Sequence, residues 1–541
     1  MTDLMNPPDA PLFEEFPAPT HEEWVAAALE ALGGASFEKT LTTPTDEGLT
    51  LQPLYRRDAI AGITHPTTLP GFPPYVRGTS ASGYVGQPWS IAQELPCPTP
   101  ETFNTALREA LAGGQGAIRL ILDQATRSGL DPDQAAKVGY EGLSLATLDD
   151  FAAAFDGIDL TGTPLHVSAG TSALPLAALL AAYLHSKGQS IINLRGSIAA
   201  DPLGELVQTG TLPLALDACY AQMAQITAWA VEQTPQVATI AIDSTPYHQG
   251  GANAVQELAF AIATGTEYVR EMLRQGLQIE DIAPRMRFTF AIGGHFFMEV
   301  AKLRAARLLW SQVIAAFGGS ADAQRMQLHT RTGTLNKTVA DPYTNLLRTT
   351  LEAFAGVLGG TAELSVTPFD AAARLPDEFS RRIARNQQLV LRHESNLTTV
   401  ADPAGGSYYV EALTDALARQ SWTLFQEVER QGGLFSALKV GFPQEHIAAV
   451  AQKRKINFAR RRDVLVGINR YPNPVEGPLQ PDAINAAAHY EARARTAAAD
   501  RPHRDQTQVT RALHQMEAAP PSGRIQAAVE AARAGATLNE I

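Results

Sequence analysis

The stretch from Pro284 to Phe317 reads P-R-M-R-F-T-F-A-I-G-G-H-F-F-M-E-V-A-K-L-R-A-A-R-L-L-W-S-Q-V-I-A-A-F, and a change of period inside it decides the fold. Met286 to Ile292 is β-branched and aromatic enough for a strand, with Arg285 and Arg287 at its entrance and Gly293-Gly294 closing it. From His295 the apolar spacing becomes helical. Phe297, Val300, Ala301, Leu308 and Leu309 share one face, which leaves Glu299, Lys302, Arg304 and Arg307 to point outward or sideways. Glu299 precedes Lys302 by three residues, placing opposite charges on neighbouring turns for about 0.2–0.5 kcal/mol. The stretch is one β/α unit.

Outward from it the unit repeats. Strand candidates recur at Ala117 to Leu122, Leu165 to Ser168, Ile191 to Leu194, Ala238 to Ile242, Met326 to Thr330 and Glu363 to Thr367. Helical patterns lie between them at Pro100 to Ala112, Thr147 to Phe155, Ala173 to Ser186, Leu212 to Val231, Asn253 to Gln275 and Pro342 to Leu358. Strands alternating with helices imply a parallel sheet covered by helices. With one further strand near Tyr75 to Tyr84 there are about eight units, and the fold class is α/β, a TIM (β/α)8 barrel. An open doubly wound sheet is the alternative, but the glycine-rich phosphate turn it would need after its first strand is absent.

The flanks differ in composition. Residues 1–36 are a proline-rich arm followed by a helix opened by the capping box Thr20-His21-Glu22-Glu23, and they suit docking onto a partner. Residues 37–411 carry the barrel, led in by short strands at Phe37 to Leu41 and Leu49 to Tyr55. Residues 412–541 form a helical extension, interrupted by a proline-rich linker from Asn469 to Pro481. The basic run Lys453 to Arg462 reads as a solvated helix face, with contact to a coenzyme phosphate or an acidic partner surface as the alternative.

The net charge of −13 disfavours nucleic acid as a partner, and no apolar run approaches the length needed to span a bilayer. No secretory signal is visible, and Cys97 and Cys219 are too few for a disulfide framework or a cysteine-based metal site; the expected location is cytoplasmic, with no metal.

Several stretches carry a family resemblance. A-I-G-G-H-F-F-M-E-V-A-K-L-R-A-A-R-L-L-W, Ala291 to Trp310, resembles a barrel strand and helix of the methylmalonyl-CoA mutase family. Val76-Arg77-Gly78 with Gln87-Pro88-Trp89 is similar to that family's entry into the barrel. Ser380 to Asn386, Asp402 to Tyr408 and Ile468 to Tyr471 are similar to its R-I-A-R-N, D-P-x-x-G-S-x-Y and V-N-K-Y motifs. The resemblance implies a barrel enclosing acyl-CoA along its axis, with adenosylcobalamin across the open end supplying radical rearrangement of the acyl skeleton.

The same resemblance implies a set of site positions. Tyr247-His248 matches the pair whose imidazole reaches the thioester, and Arg285, with Arg287 and Ser197, falls on the substrate side. Three positions depart from the active pattern: Ser80 stands for a tyrosine between cobalamin and substrate, Ala199 for a glutamine on the acyl group, and Thr209 for the arginine that clamps a carboxylate. Leu347 to Asp370 resembles the small subunit of the heterodimeric enzyme, whose barrel pairs with a catalytic homologue. The ending Ala527 to Ile541 is similar to the helix before the family's cobalamin domain, and D-x-H-x-x-G occurs nowhere in the chain. The implied role is therefore a non-catalytic small subunit, with adenosylcobalamin held by a partner: a catalytic large-subunit homologue or a separate cobalamin-binding protein. An active acyl-CoA mutase barrel with the cobalamin domain supplied in trans, and a CoA-binding regulatory barrel, are the alternatives.

Overall fold

The computed structural model of the chain describes residues 19–135, 137–473, 491–496 and 504–541, together with Leu479 and Ala498. The arm expected before Pro19 lies outside these residues, as does nearly all of the linker expected beyond Asn473. Two compact units follow one another, the first ending at Ala59 and the second running from Ile60 to Ile541.

In the first unit the helix His21–Ala31 opens on the anticipated capping box: Glu23 N donates to Thr20 Oγ1 at 3.2 Å, and Thr20 N to Glu23 Oε2 at 2.7 Å. The strand expected at Phe37 to Leu41 is instead a short helix, because Ser36 caps it by accepting from Lys39 N. Of Leu49 to Tyr55 only Thr50–Leu51 is extended, paired antiparallel with Thr43–Pro44.

The second unit is built on a closed barrel of eight parallel strands. In chain order these are β1 (Ser90–Glu94), β2 (Ala117–Leu120), β3 (Leu165–Gly170), β4 (Gly196–Ala200), β5 (Val237–Asp243), β6 (Met286–Ile292), β7 (Gln327–Thr332) and β8 (Glu363–Ser365). Each pairs with the next, and β8 closes onto β1 with Glu363 opposite Ser90. Two strands differ from expectation. Tyr75 to Tyr84 forms no strand, and β1 follows it; Ile191–Asn193 is a 3-10 turn, and β4 starts just beyond. Gly196, the first residue of β4, is fixed by close approach: at φ +124° a Cβ there would lie 2.0 Å from Leu165 O.

Helices cover the barrel. Ile91 and Leu364 point outward from β1 and β8 and pack with Trp89, just before β1, and with Ala353, Val357, Ala384 and Leu391 from the helices Thr344–Leu358 and Glu378–His393. The helix of the opening stretch, α1 (Phe296–Ala316), packs against Ala254–Arg274 on one side and Tyr408–Arg430 on another, so it has almost no solvent face. That overturns the expected orientation of its charges. Lys302 and Arg304 are fully buried and Glu299 and Arg307 nearly so, whereas Phe297 is exposed.

Each of these buried charges meets a carboxylate, a cation or backbone carbonyls. Lys302 Nζ donates to Glu257 Oε2 and to Ala291 O, both at 2.7 Å, and also pairs with Glu299. Arg304 Nη2 donates to Glu411 Oε1 at 2.8 Å and Nη1 to Asp402; Arg77 Nε reaches Asp402 Oδ2 at 2.7 Å. Arg307 donates to the carbonyls of Tyr75 and Val76, each at 3.0 Å. The V-R-G and D-P-A-G-G-S-Y stretches are thus tied to α1 by buried guanidinium contacts. The basic run does meet solvent: Lys453, Lys455, Arg460, Arg461 and Arg462 are exposed.

Candidate functional site

TIM-barrel interiors are ordinarily filled by branched apolar side chains. Here many inward positions of the strands, read at period two, are polar: Glu94 on β1, Arg119 on β2, His166 on β3, Ser197 on β4, Arg287 and Thr289 on β6, His329 and Arg331 on β7, Glu363 and Ser365 on β8. They meet around one carboxylate. Glu363 Oε2 lies 2.9 Å from His166 Nε2, and Glu363 Oε1 lies 2.9 Å from Arg287 Nη2, 3.7 Å from His329 Nε2 and 3.9 Å from Arg119 Nη1.

Around the ring β3 stands three strands from β8, so the His166–Glu363 contact crosses the lumen. Ser197 Oγ joins at 3.1 Å from His166 Nδ1, and His329 is held between Ser365 Oγ at 3.0 Å and Thr289 Oγ1 at 3.3 Å. Burial pushes the Glu363 carboxyl up, but Arg287 and His166 outweigh it and hold the group well below the ordinary carboxylate range. Burial, then Arg287, pushes the His166 imidazole down; burial, then Arg119, does the same to His329.

Above this cluster, at the C-terminal ends of the strands, a cavity of about 1160 Å³ opens. Glu94, Arg119, Thr289 and Arg331 form its floor; Asp201, Glu205 and Asp243 stand on one wall, and Pro96, Ile121, Val366 and Pro368 are among its apolar lining. Arg331 Nη2 is 2.7 Å from Glu94 Oε2, and Arg119 Nε is 3.4 Å from Glu94 Oε1. Asp201 caps the helix Pro202–Thr209 and accepts from Tyr268 Oη at 2.6 Å and Asp243 N at 2.9 Å; burial nevertheless raises its pKa to about 7.

The expected site residues fall in different places. Ala199 and Thr209 line the mouth cavity together, and Thr209 Oγ1 is turned back to Glu205 O at 2.8 Å. Ser197 and Arg287 both belong to the lumen cluster through His166, with Arg287 Nη1 3.4 Å from His166 Nε2. Arg285 is outside it, donating to Pro235 O at 2.5 Å and Val237 O at 3.4 Å at the N-terminal end of β5. Tyr247 and His248 are buried: the tyrosine ring packs on Phe260 at 5.3 Å, and His248 Nδ1 lies 3.6 Å from Glu257 Oε2. The His248 ring is so closely flanked that a Cβ on Gly333 would sit 2.7 Å from its Nε2.

Ser80 is exposed and lies at the other end of the barrel from Ala199 and Thr209. Its neighbour Thr79 accepts from Arg325, two residues before β7, and Tyr75 Oη donates to Ala321 O. Glu94, Arg119, His166, His329, Arg331 and Glu363 were not anticipated. The signal that marks them is alternation of polar residues within strands buried on both faces: His166-x-Ser168, Arg287-x-Thr289, His329-x-Arg331, Glu363-x-Ser365.

No histidine lines the mouth cavity, so its lining offers no imidazole as a cobalt ligand for the implied cobalamin. Among the described residues no group of three or more His, Cys, Asp or Glu is arranged to hold a metal ion, and no helix is long and apolar enough to cross a membrane.

The methylmalonyl-CoA mutase family profile matches residues 44–541. A methylmalonyl-CoA mutase of Rhizobium meliloti is 38% identical over 96% of this chain and 74% of its own length. The methylmalonyl-CoA mutase small subunit of Streptomyces virginiae is 36% identical over 88% of this chain and 74% of its own; the large subunit of the same organism is 34% identical over 97% and 73%. Likeness of this extent, together with the eight-stranded parallel barrel, establishes that the chain belongs to the methylmalonyl-CoA mutase family.

Proposed function

We propose that this chain is a non-catalytic barrel subunit of a methylmalonyl-CoA mutase-type enzyme, acting in the cytoplasm by pairing with a catalytic homologue that holds adenosylcobalamin. The observation that carries this reading is the lumen-crossing cluster on Glu363. Acyl-CoA, expected along the barrel axis, would have to displace an ion-paired carboxylate and two histidines at 2.9–3.7 Å from it. Such a displacement strands charge away from water, at a cost of about 3–5 kcal/mol for a broken buried pair.

The alanine at 199 and threonine at 209 support the same reading, since neither offers a charge to a substrate carboxylate at the mouth. His248, enclosed beside Gly333 and Glu257, gives little support to an active barrel with its cobalamin domain in trans. The arm and helix of residues 1–36 serve in this reading as a docking element, and residues 412–541 as an extension around the 37–411 barrel.

The test is the native mass and subunit composition of the complex that the chain forms in its own cell extract. A heterodimer with a homologous mutase chain is expected. A homodimer that turns over acyl-CoA when given only a small cobalamin-binding protein would refute the proposal.

A further inference from the structure

The floor of the mouth cavity is electrically unbalanced. Arg119, Arg287 and Arg331 bring three positive charges to the lumen against the two carboxylates Glu94 and Glu363, while burial disfavours the charged forms of His166 and His329. A surplus guanidinium away from bulk water calls for a counter-charge. Arg119 is only 4% exposed, lines the cavity, and its Nε meets only Glu94 Oε1, at a long 3.4 Å. Arg331 lines the same floor and shares Glu94 with it.

We infer that this cavity is a binding site for a small free monocarboxylate, entering from the C-terminal mouth and seating its carboxylate on Arg119 and Arg331. A planar carboxylate matches guanidinium donors, and one negative charge balances the floor. Asp201, Glu205 and Asp243 on the facing wall disfavour a second negative charge, which argues against phosphate and dicarboxylates; Glu205 is itself matched by Arg127 at 3.2 Å. The acid's hydrocarbon body meets Pro96, Ile121, Val366 and Pro368. That the acid is free, and not carried on CoA, rests on the closed lumen of the proposed function.

Calorimetric titration of the full chain at low salt with butyrate tests this, with succinate, inorganic phosphate and an acyl-CoA as comparisons. Saturable butyrate binding is expected, tighter than succinate or phosphate and weakened about tenfold or more by Arg331→Met, with Arg331→Lys intermediate. Glu94→Gln removes the competing carboxylate and is expected to tighten butyrate binding about tenfold, a gain that mere loss of structure cannot produce. Absence of saturable butyrate binding, or affinities unchanged in both Arg331→Met and Glu94→Gln, overturns the inference while leaving the non-catalytic reading intact. Acyl-CoA binding in place of the free acid overturns both.

Discussion

His166 Nε2 and Glu363 Oε2 meet at 2.9 Å across the lumen of the barrel, from strands three positions apart in the ring. In a barrel expected to thread a long ligand along its axis, that contact places an ionised carboxylate and its partners where the ligand would run.

Glu363→Gln removes the charge that Arg287 and Arg119 face, leaving buried guanidinium groups uncompensated. Loss of about 3–5 kcal/mol of unfolding free energy is expected, read from denaturant titration. A change below about 1 kcal/mol would mean that water reaches the cluster.

Lys302→Met leaves Glu257 and Glu299 buried beside each other without a cation. A loss of about 3–5 kcal/mol is expected, and the double variant Lys302→Met/Glu257→Gln should be less destabilised than the sum of the single losses. Strict additivity in denaturation would contradict the pairing.

Acid should unfold the protein through three carboxyls. For Glu363, burial is outweighed by Arg287 and His166; for Glu257, by Lys302 and His248; for Glu411, by His65 and Arg304. All three sit below their ordinary value, Glu257 and Glu411 at about 2. Their stabilisation is therefore complete above the unfolded value of about 4.3 and lost as pH falls toward those depressed values. Thermal scans should show the melting temperature falling steeply over that interval, and Arg304→Met should flatten the part due to Glu411.

Much of this fold was legible in the sequence. Pro100–Ala112, Ala173–Ser186 and Met286–Ile292 lie where periodicity and caps place them. The failures have physical causes. Gly196–Ala200 is a strand of small residues with little β-branched signal, so the apolar Ile191–Asn193 beside it drew the assignment. Lys302 and Arg304 looked solvent-facing because periodicity treats charge as exposed; their partners Glu257 and Glu411 lie 45 and 107 residues away and are invisible to a local pattern. The polar alternation within the strands marks the lumen residues locally, but their meeting on Glu363 joins strands far apart in the chain; Arg287 and Ser197 were singled out for a different role.

Asp201 should titrate near neutrality. Burial raises its pKa to about 7 despite hydrogen bonds from Tyr268, Asp243 and Gly204. The folded value lies above the unfolded one, so its contribution is full below about pH 4 and is lost as pH rises through about 7. Carboxyl NMR should show one resonance moving near that pH, absent in Asp201→Asn.

Equilibrium binding of an acyl-CoA to the purified full chain measures the closed lumen directly. No saturable binding is predicted for the wild-type chain. Stoichiometric binding that is abolished by filling the lumen with Ser197→Phe would contradict the account.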